Sequence, residues 1–188
     1  MWQTNFELGI FNAYILFLIY FICSMLPFIF KRTNKTKEIN PRSVSGDDFA
    51  KVLSSLSFIV FILAIIVSLF LPLIFNSIFF YIGLIIWVIG LITTISVFIS
   101  WTNTEEGKPV TTGVYKYSRN PMYISFALIF IGISLATISW VFLLIGIVNV
   151  IIAIVFVDFE EKSCLEKFGD KYKIYMQNTP RWIGFSKK

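Results

Sequence analysis

Long stretches of apolar residues dominate this chain. The first extends from Leu8 to Phe30 without a charged residue, and the second runs from Val52 to Phe75 with Pro72 inside it. A third extends from Phe79 to Ser100 after a very short polar connection. Each is long enough to cross a hydrocarbon core of roughly 30 Å, which takes about 20 apolar residues in an α-helix. We therefore predict three membrane-spanning helices, the second and third forming a tight hairpin.

Apolar residues resume from Met122 to Val157, a stretch too long for a single span. A weak break between Thr137 and Ser139 favours two helices here. The predicted fold class is thus all-α: one integral membrane bundle of about five transmembrane helices, covering residues 1–188 as a single domain. Small residues such as Gly83 and Gly132 would let neighbouring helices approach closely.

The tail from Phe159 to about Gln177 is amphipathic. One face carries residues at spacings of three, four and three: Leu165, Phe168, Tyr172 and Tyr175. This pattern predicts a C-terminal interfacial amphipathic helix that lies against the membrane surface. Gly169 weakens the pattern and permits a bend, because glycine inside a helix costs roughly 1 kcal/mol relative to alanine.

The charges are few and confined to the connections. All 16 Lys and Arg residues lie in three segments, at residues 31–51, 108–119 and 162–188. Five spans place these segments on one side, so the positive-inside rule predicts an outside N-terminus, with the C-terminus and active site cytoplasmic. Such flanks and their contacts with lipid head groups explain the net charge of +5, so no nucleic-acid partner is expected.

The composition excludes several kinds of chemistry. The chain has no His and only two cysteines, Cys23 and Cys164, in separate segments. We therefore expect no metal, no Ser-His-Asp triad and no disulfide framework. No span carries a charge at its centre, which argues against a channel or transporter.

A polar segment from Gly113 to Tyr123 precedes the fourth span. Pro121 suits the first turn of a helix, and Asn120 is then a natural N-cap. Arg119 could be an interfacial anchor, with the nearby tyrosines as an aromatic belt. Arginine is also the side chain best suited to hold a carboxylate through two hydrogen bonds, so both interpretations stay open.

A second polar cluster closes the fifth span, where Asp158, Glu160 and Glu161 occupy four consecutive positions with one Phe. Carboxylates at membrane depth are expensive and are candidates for function by default. At the membrane boundary they could instead be solvated.

The two clusters, taken together, carry a resemblance. The first fits the order Gly-x-Tyr-(Lys/Arg)-x-x-Arg-His-Pro-x-Tyr through Gly113, Tyr115, Lys116, Arg119, Pro121 and Tyr123. In the second, a Glu pair is followed by Leu, Phe-Gly and two Tyr: Glu160, Glu161, Leu165, Phe168, Gly169, Tyr172 and Tyr175. Over residues 105–182 the chain thus resembles the isoprenylcysteine carboxyl methyltransferase and phospholipid methyltransferase superfamily of integral membrane enzymes.

The resemblance implies an S-adenosylmethionine-dependent methyltransferase acting on a lipophilic acceptor from the bilayer, most similar to isoprenylcysteine carboxyl methyltransferases. It divides the domain into an N-terminal three-helix membrane part, 1–104, and a cofactor-binding part, 105–182. The implied catalytic residues are Arg119 and Glu160. The implied cofactor-binding residues are Gly113, Val114, Tyr115, Asn120, Pro121, Tyr123, Glu161 and Tyr172.

One position departs from the superfamily pattern, because Asn120 stands where His is usual. Asparagine donates and accepts hydrogen bonds but carries no proton at neutral pH. This departure permits a catalytically silent membrane scaffold of the same fold. Two further alternatives remain, a phospholipid N-methyltransferase and a sterol-reductase-like enzyme using a nicotinamide cofactor. The last would need a longer bundle.

Overall fold

The structure is a computed structural model that describes residues 6–30, 48–105 and 107–185. These residues contain six α-helices and one short 3₁₀ helix, and no strand is found among them. The helices are α1 Tyr14–Phe30, α2 Asp48–Ser68, α3 Ile78–Asn103, the 3₁₀ turn Gly113–Lys116, α4 Pro121–Ala136, α5 Trp140–Phe168 and α6 Asp170–Asn178. The all-α prediction is confirmed, while the basic segment at 31–47 lies outside the described residues.

Three of the helices, α2, α3 and α5, are long and apolar enough to cross a membrane. In α5 the apolar part ends at Val157, and the charged residues that follow lie beyond it. Helices α1 and α4 are apolar but shorter, with 17 and 16 residues. An integral membrane protein is therefore supported, and the number of five spans stays a prediction.

The first two apolar stretches are only partly helical. Residues 6–13 precede α1 without regular structure, and α2 ends at Ser68, seven residues before the predicted end at Phe75. Pro72 explains the second difference, because proline has no amide hydrogen and disfavours helical geometry in the residue before it.

These two irregular segments bind each other. The backbone N–H of Glu7 donates to Phe70 O at 2.9 Å, and that of Ala13 donates to Leu71 O at 2.9 Å. The buried side chain of Asn12 donates to Leu69 O at 2.7 Å. Together they close the end of the bundle opposite the polar clusters.

Helices α3 and α4 pack closely through glycines, as predicted. A methyl group on Gly83 would lie 2.5 Å from Gly132 O and 2.6 Å from Ala136 N. Closer to the polar clusters, the Thr94 hydroxyl of α3 donates to Ser125 Oγ of α4 at 3.1 Å. The two helices are therefore antiparallel, and the end of α3 lies beside the start of α4.

Helix α2 packs antiparallel against α5. The rings of Phe49 and Phe159 lie 5.9 Å apart, and deeper in the bundle the Ser57 hydroxyl donates to Asn149 Oδ1 at 3.4 Å. The same apolar cluster contains Ala50, Leu53, Val60, Ile152 and Phe156, with Tyr123 of α4 packed against it. The start of α2, the end of α3, the start of α4 and the end of α5 thus meet at one end, which we call the polar end.

The predicted tail helix is broken in two. Gly169 has φ 54°, a left-handed conformation that glycine adopts without strain, and it separates α5 from α6. The aromatic face predicted for the tail points into the protein, where Tyr172 and Tyr175 pack with Tyr115 and Val97. Contact of α6 with the membrane surface stays a prediction.

Candidate active site

Glu161 is the centre of the polar end. Its side chain is buried on α5, and its Oε1 accepts a hydrogen bond of 3.0 Å from Asn120 Nδ2 and lies 3.3 Å from Arg119 Nε. Its Oε2 lies 3.7 Å from Arg181 Nε. The two sequence motifs therefore converge on one carboxylate, because α4 begins beside the end of α5.

Asn120 has a different part in this arrangement from the one predicted. It occupies the N-cap position of α4, but its side chain makes no capping hydrogen bond. Its amide instead donates to Glu161 and, at 3.2 Å, to Arg181 O. The capping prediction is therefore wrong for the side chain, because capping needs the amide oxygen as an acceptor and the two hydrogen bonds donated by Nδ2 orient the amide differently.

The segment after α6 lies along the segment before α4. Arg119 N donates to Pro180 O at 3.0 Å, and Gly184 N donates to Tyr117 O at 3.1 Å. We call residues 180–184 the C-terminal strap. Its Arg181 also forms an ion pair with Asp158, and this hydrogen bond raises the pKa of the Arg181 guanidinium. The strap thus connects the second polar cluster, through Asp158, to the first motif, through Arg119 and Tyr117.

Three buried tyrosines form a layer beside this network. The Tyr175 hydroxyl donates to Tyr115 O at 2.7 Å, and Tyr115 in turn accepts a hydrogen bond from Trp101 Nε1. Tyr172 completes the layer. Burial raises the pKa of all three phenols, so they remain neutral hydrogen-bonding groups.

Gly113 begins the 3₁₀ turn that precedes α4, with a φ of 61°. A side chain at this position would collide with Ser100.

Tyr175→Phe is expected to lower the free energy of unfolding by about 1 kcal/mol, the typical net value of one intramolecular hydrogen bond. The change removes only the hydroxyl that donates to Tyr115 O. Denaturant unfolding in detergent measures it, with Tyr117→Phe as the matched control because Tyr117 is 57% exposed. Equal stability of the two variants would contradict the prediction.

Glu160 has surroundings unlike those of its neighbour. It is partly buried, its hydrogen-bond partner is the Tyr123 hydroxyl, and no ion pair to it is found among the described residues. Burial raises its pKa to about 7, repulsion from Glu161 adds to the increase, and the hydrogen bond from Tyr123 opposes it. Glu160 is therefore a carboxyl group able to change charge near neutral pH.

The predicted site residues fall into three groups in space. Arg119, Asn120 and Glu161 form the polar network, and Pro121 begins α4 next to them. The turn residues and an aromatic of α6 form the tyrosine layer: Gly113, Val114, Tyr115 and Tyr172. Glu160 and Tyr123 form a separate pair at the border of the apolar cluster between α2 and α5.

Three contributors were not among the predicted catalytic or cofactor-binding residues. Asp158 belonged to the second polar cluster and Arg181 lies beyond the second motif, so their charges were the available signal. Ser118 accepts from Asn120 N at 3.0 Å and donates to Arg181 O at 3.3 Å. No sequence pattern signalled Ser118, because its role depends on the course of the strap.

Comparison with protein families gives a match to "Phospholipid methyltransferase" over residues 56–171, which is more than half of the chain. The match begins within α2, includes α3 to α5 and ends at the start of α6, so it contains the first motif and most of the second. Comparison with curated proteins and with solved structures gives no match. The chain therefore belongs to the phospholipid methyltransferase family, within the superfamily of membrane methyltransferases that also includes the isoprenylcysteine carboxyl methyltransferases.

Proposed function

We propose that this protein is an S-adenosylmethionine-dependent methyltransferase that acts on a lipophilic acceptor at the polar end of the bundle. The observation that supports this most is the convergence of Arg119 and Asn120 on Glu161, 3.3 and 3.0 Å from its Oε1. This contact joins the two motifs, because Asn120 and Glu161 are 41 residues apart in sequence. Family membership supplies the reaction class.

The residues present suit a methyl donor with a carboxylate, an ammonium group and a sulfonium. The Nε of Arg119 is buried and lies 3.3 Å from Glu161 Oε1, but within the described ranges it forms no hydrogen bond, so the guanidinium keeps donors that suit a carboxylate. The neutral faces of Tyr115, Tyr123 and Tyr172 suit a cationic sulfur. Glu161 is committed to its three cationic and amide partners, so we assign it to holding Arg119 and Asn120 in place.

When bound, such a cofactor supplies an already activated methyl group. The chain then needs to align the two reactants and exclude water. The 3₁₀ turn at Gly113 and the tyrosine layer form one wall, and the strap, fixed to Arg119 N by Pro180 O, forms another. Glu160 lies where the polar network meets the apolar cluster, so we assign it to the reacting groups.

For the topology we propose five spans, with an outside N-terminus and a cytoplasmic polar end. The antiparallel packing of α3 with α4 and of α2 with α5 supports this, because it gathers the basic segments that follow α3 and α5 at one end. The proposed division is a three-helix part, 1–104, that shapes the lipid side, and a cofactor-binding part, 105–182.

Two acceptor classes suit a site open to lipid: a prenylated cysteine carboxylate, as in isoprenylcysteine carboxyl methyltransferases, and the amine of a phospholipid. The family description favours the second. A silent scaffold of the same fold is the remaining candidate, favoured by Asn120 in place of the usual His. Saturable binding of labelled S-adenosylmethionine to the purified protein in detergent would exclude it.

Arg119→Lys is expected to weaken S-adenosylmethionine binding about tenfold or more, because the lysine keeps the charge and loses the two-pronged geometry. Calorimetry of the purified protein measures the affinity, and thermal unfolding verifies that the variant is folded. Lys116→Ala is the matched control, since Lys116 is exposed in the same segment. Unchanged affinity in Arg119→Lys, or equal losses in both variants, would contradict the assignment.

A further inference from the structure

The outer face of helix α5 leads from lipid to the C-terminal strap. Ile151, Ile154 and Asp158 follow one another at spacings of three and four residues, so they share one face of the helix. Both isoleucines are exposed, and exposed apolar side chains of a membrane-spanning helix face lipid. Asp158 is the first residue after the apolar part of α5, and it pairs with Arg181 of the strap. The strap therefore meets α5 on its lipid-facing side, at the depth where hydrocarbon gives way to head groups.

The two sides of the strap differ in chemistry. On the inner side, backbone carbonyls of the strap accept hydrogen bonds from Arg119 N at 3.0 Å and from Asn120 Nδ2 at 3.2 Å. On the outer side, Ile183 is 78% exposed, and Phe185, the residue directly after the strap, is 88% exposed. The strap thus holds the candidate active site with polar atoms and presents apolar side chains outward.

A second exposed aromatic residue lies next to this outer side. Gly184 N donates to Tyr117 O at 3.1 Å, which places the backbone of Tyr117 beside Ile183 and Phe185. Tyr117 and the preceding Lys116 are both exposed. Aromatic rings favour the depth of the head groups, and a lysine there lays its apolar stem along the surface with its ammonium near the phosphates. This surface therefore matches the boundary of a bilayer in polarity and in charge.

Helix α6 offers no comparable surface. Its aromatic side packs into the protein, where Tyr172 and Tyr175 belong to the tyrosine layer. Its exposed residues are polar or charged except for one isoleucine: Asp170, Lys171, Lys173, Ile174, Gln177 and Asn178. Of the described segments after α5, the strap is therefore the one suited to enter the head-group region.

We infer that the outer side of the strap, with Ile183, Phe185 and Tyr117, is a lipid-binding surface. Its partner is the head-group region of the membrane that α5 crosses. Insertion of the apolar side chains keeps the strap closed on Arg119 and Asn120, so this wall of the candidate active site depends on the bilayer. The importance of that wall for methyl transfer rests on the proposed function, whereas the contact with lipid does not.

The polar contacts of the strap alone restrain it weakly. If the strap opened, its backbone groups would exchange these hydrogen bonds for bonds to water, so the net contribution of each is small. The pair between Arg181 and Asp158 lies at the surface, where ion pairs also contribute little. Apolar side chains buried in lipid add a restraint that water cannot replace. Opening of the strap should therefore be rare in a bilayer as long as Ile183 and Phe185 are present.

Spin labels test the position of the strap, in the whole chain in nanodiscs of phosphatidylcholine and phosphatidylglycerol. The labels are attached to Ile183→Cys, to Phe185→Cys and, as the control on the exposed side of α6, to Lys173→Cys. The natural cysteines, Cys23 and Cys164, are replaced by serine, and thermal unfolding verifies that each protein is folded. We expect oxygen, which concentrates in lipid, to dominate collisions at 183 and 185, and a water-soluble nickel complex to dominate at 173. Dominance of the nickel complex at 183 and 185 would overturn the inference.

Hydrogen exchange tests whether the lipid contact keeps the strap closed. The double variant Ile183→Ser/Phe185→Ser is placed in the same nanodiscs, and mass spectrometry follows the peptides that contain the Arg119 and Gly184 amides. Both amides donate hydrogen bonds between the strap and the segment before α4. We expect about tenfold faster exchange, because the lost apolar burial raises the fraction of open strap. Ile174→Ser, the same kind of change at an exposed position of α6, is the matched control and should leave this exchange unchanged.

Exchange as slow in the double variant as in the wild type would overturn the inference, and so would an equal increase in Ile174→Ser. Neither the labels nor the exchange rates require S-adenosylmethionine. A wild type that binds no S-adenosylmethionine would therefore overturn the proposed function, while the two measurements would still decide whether the strap binds lipid.

Discussion

Asn120→Asp should destabilise the folded bundle by about 3 kcal/mol or more, in the range found when one partner of a buried ionic network is broken. The change is isosteric, so it alters no packing. It replaces an amide donor, 3.0 Å from Glu161 Oε1 and 3.2 Å from Arg181 O, with a carboxylate oxygen. Two hydrogen bonds are lost, and two negative groups face each other in a buried position.

Unfolding of the purified protein in detergent, by denaturant and at neutral pH, measures this loss. Asn178→Asp makes the same chemical change at an exposed position near the end of α6 and should alter stability little. Asn120→His introduces the residue usual in the superfamily. It should lower the free energy of unfolding less than Asn120→Asp does, because an imidazole N–H can still donate to Glu161. If the Asn120→Asp protein were as stable as the Asn178→Asp protein, the hydrogen bond between Asn120 and Glu161 would not stabilise the fold, and the central position of Glu161 would be contradicted.

Gly83→Ala is the second substitution with a large expected effect, a loss of about 2 to 3 kcal/mol. Helix propensity alone predicts the opposite sign, since alanine is favoured over glycine inside a helix by about 1 kcal/mol. The added methyl group, however, would lie 2.5 Å from Gly132 O and 2.6 Å from Ala136 N. Both are backbone atoms, so α3 and α4 must separate, and overpacking of this kind costs about 1 to 3 kcal/mol or more.

The same unfolding experiment tests this substitution, with Ile85→Ala on the outer side of α3 as the control, because Ile85 is 62% exposed. Since the polar end depends on the start of α4, Gly83→Ala should also weaken cofactor binding at a distance. A stabilised Gly83→Ala protein would mean that the two helices are not in close contact through Gly83.

The sequence predicted the helices better than their ends. Apolar length revealed α2, α3 and α5, and the break near Thr137 was confirmed by the short connection between α4 and α5. The end of α2 was missed because Pro72 was treated as an interruption within a helix. Its full effect appears only when Phe70, Leu71 and Leu73 find backbone partners in the N-terminal segment.

For the site, the two motifs predicted which segments meet but not which atoms pair. The sequence does not distinguish the two adjacent glutamates. Only the orientation of α5 against α4 determines that Glu161 contacts Arg119 and that Glu160 contacts Tyr123. The orientation of the Asn120 amide could not be predicted from the sequence either, because the two oxygens that accept its hydrogen bonds lie on α5 and on the strap, 41 and 61 residues away.

The structure explains how Asn120 can stand where the family usually has His. The side chain at this position acts through donation, toward a carboxylate and a carbonyl, and a proton shuttle is not required for that task.

The pairing of residues 7–13 with residues 69–73 also bears on the order of assembly. Asn12 is bonded to a carbonyl 57 positions later in the chain. During synthesis, the N-terminal segment therefore waits until the connection after α2 has been made before its buried amide finds that partner. The segment before α1 would then take its final position only after α2 has been made.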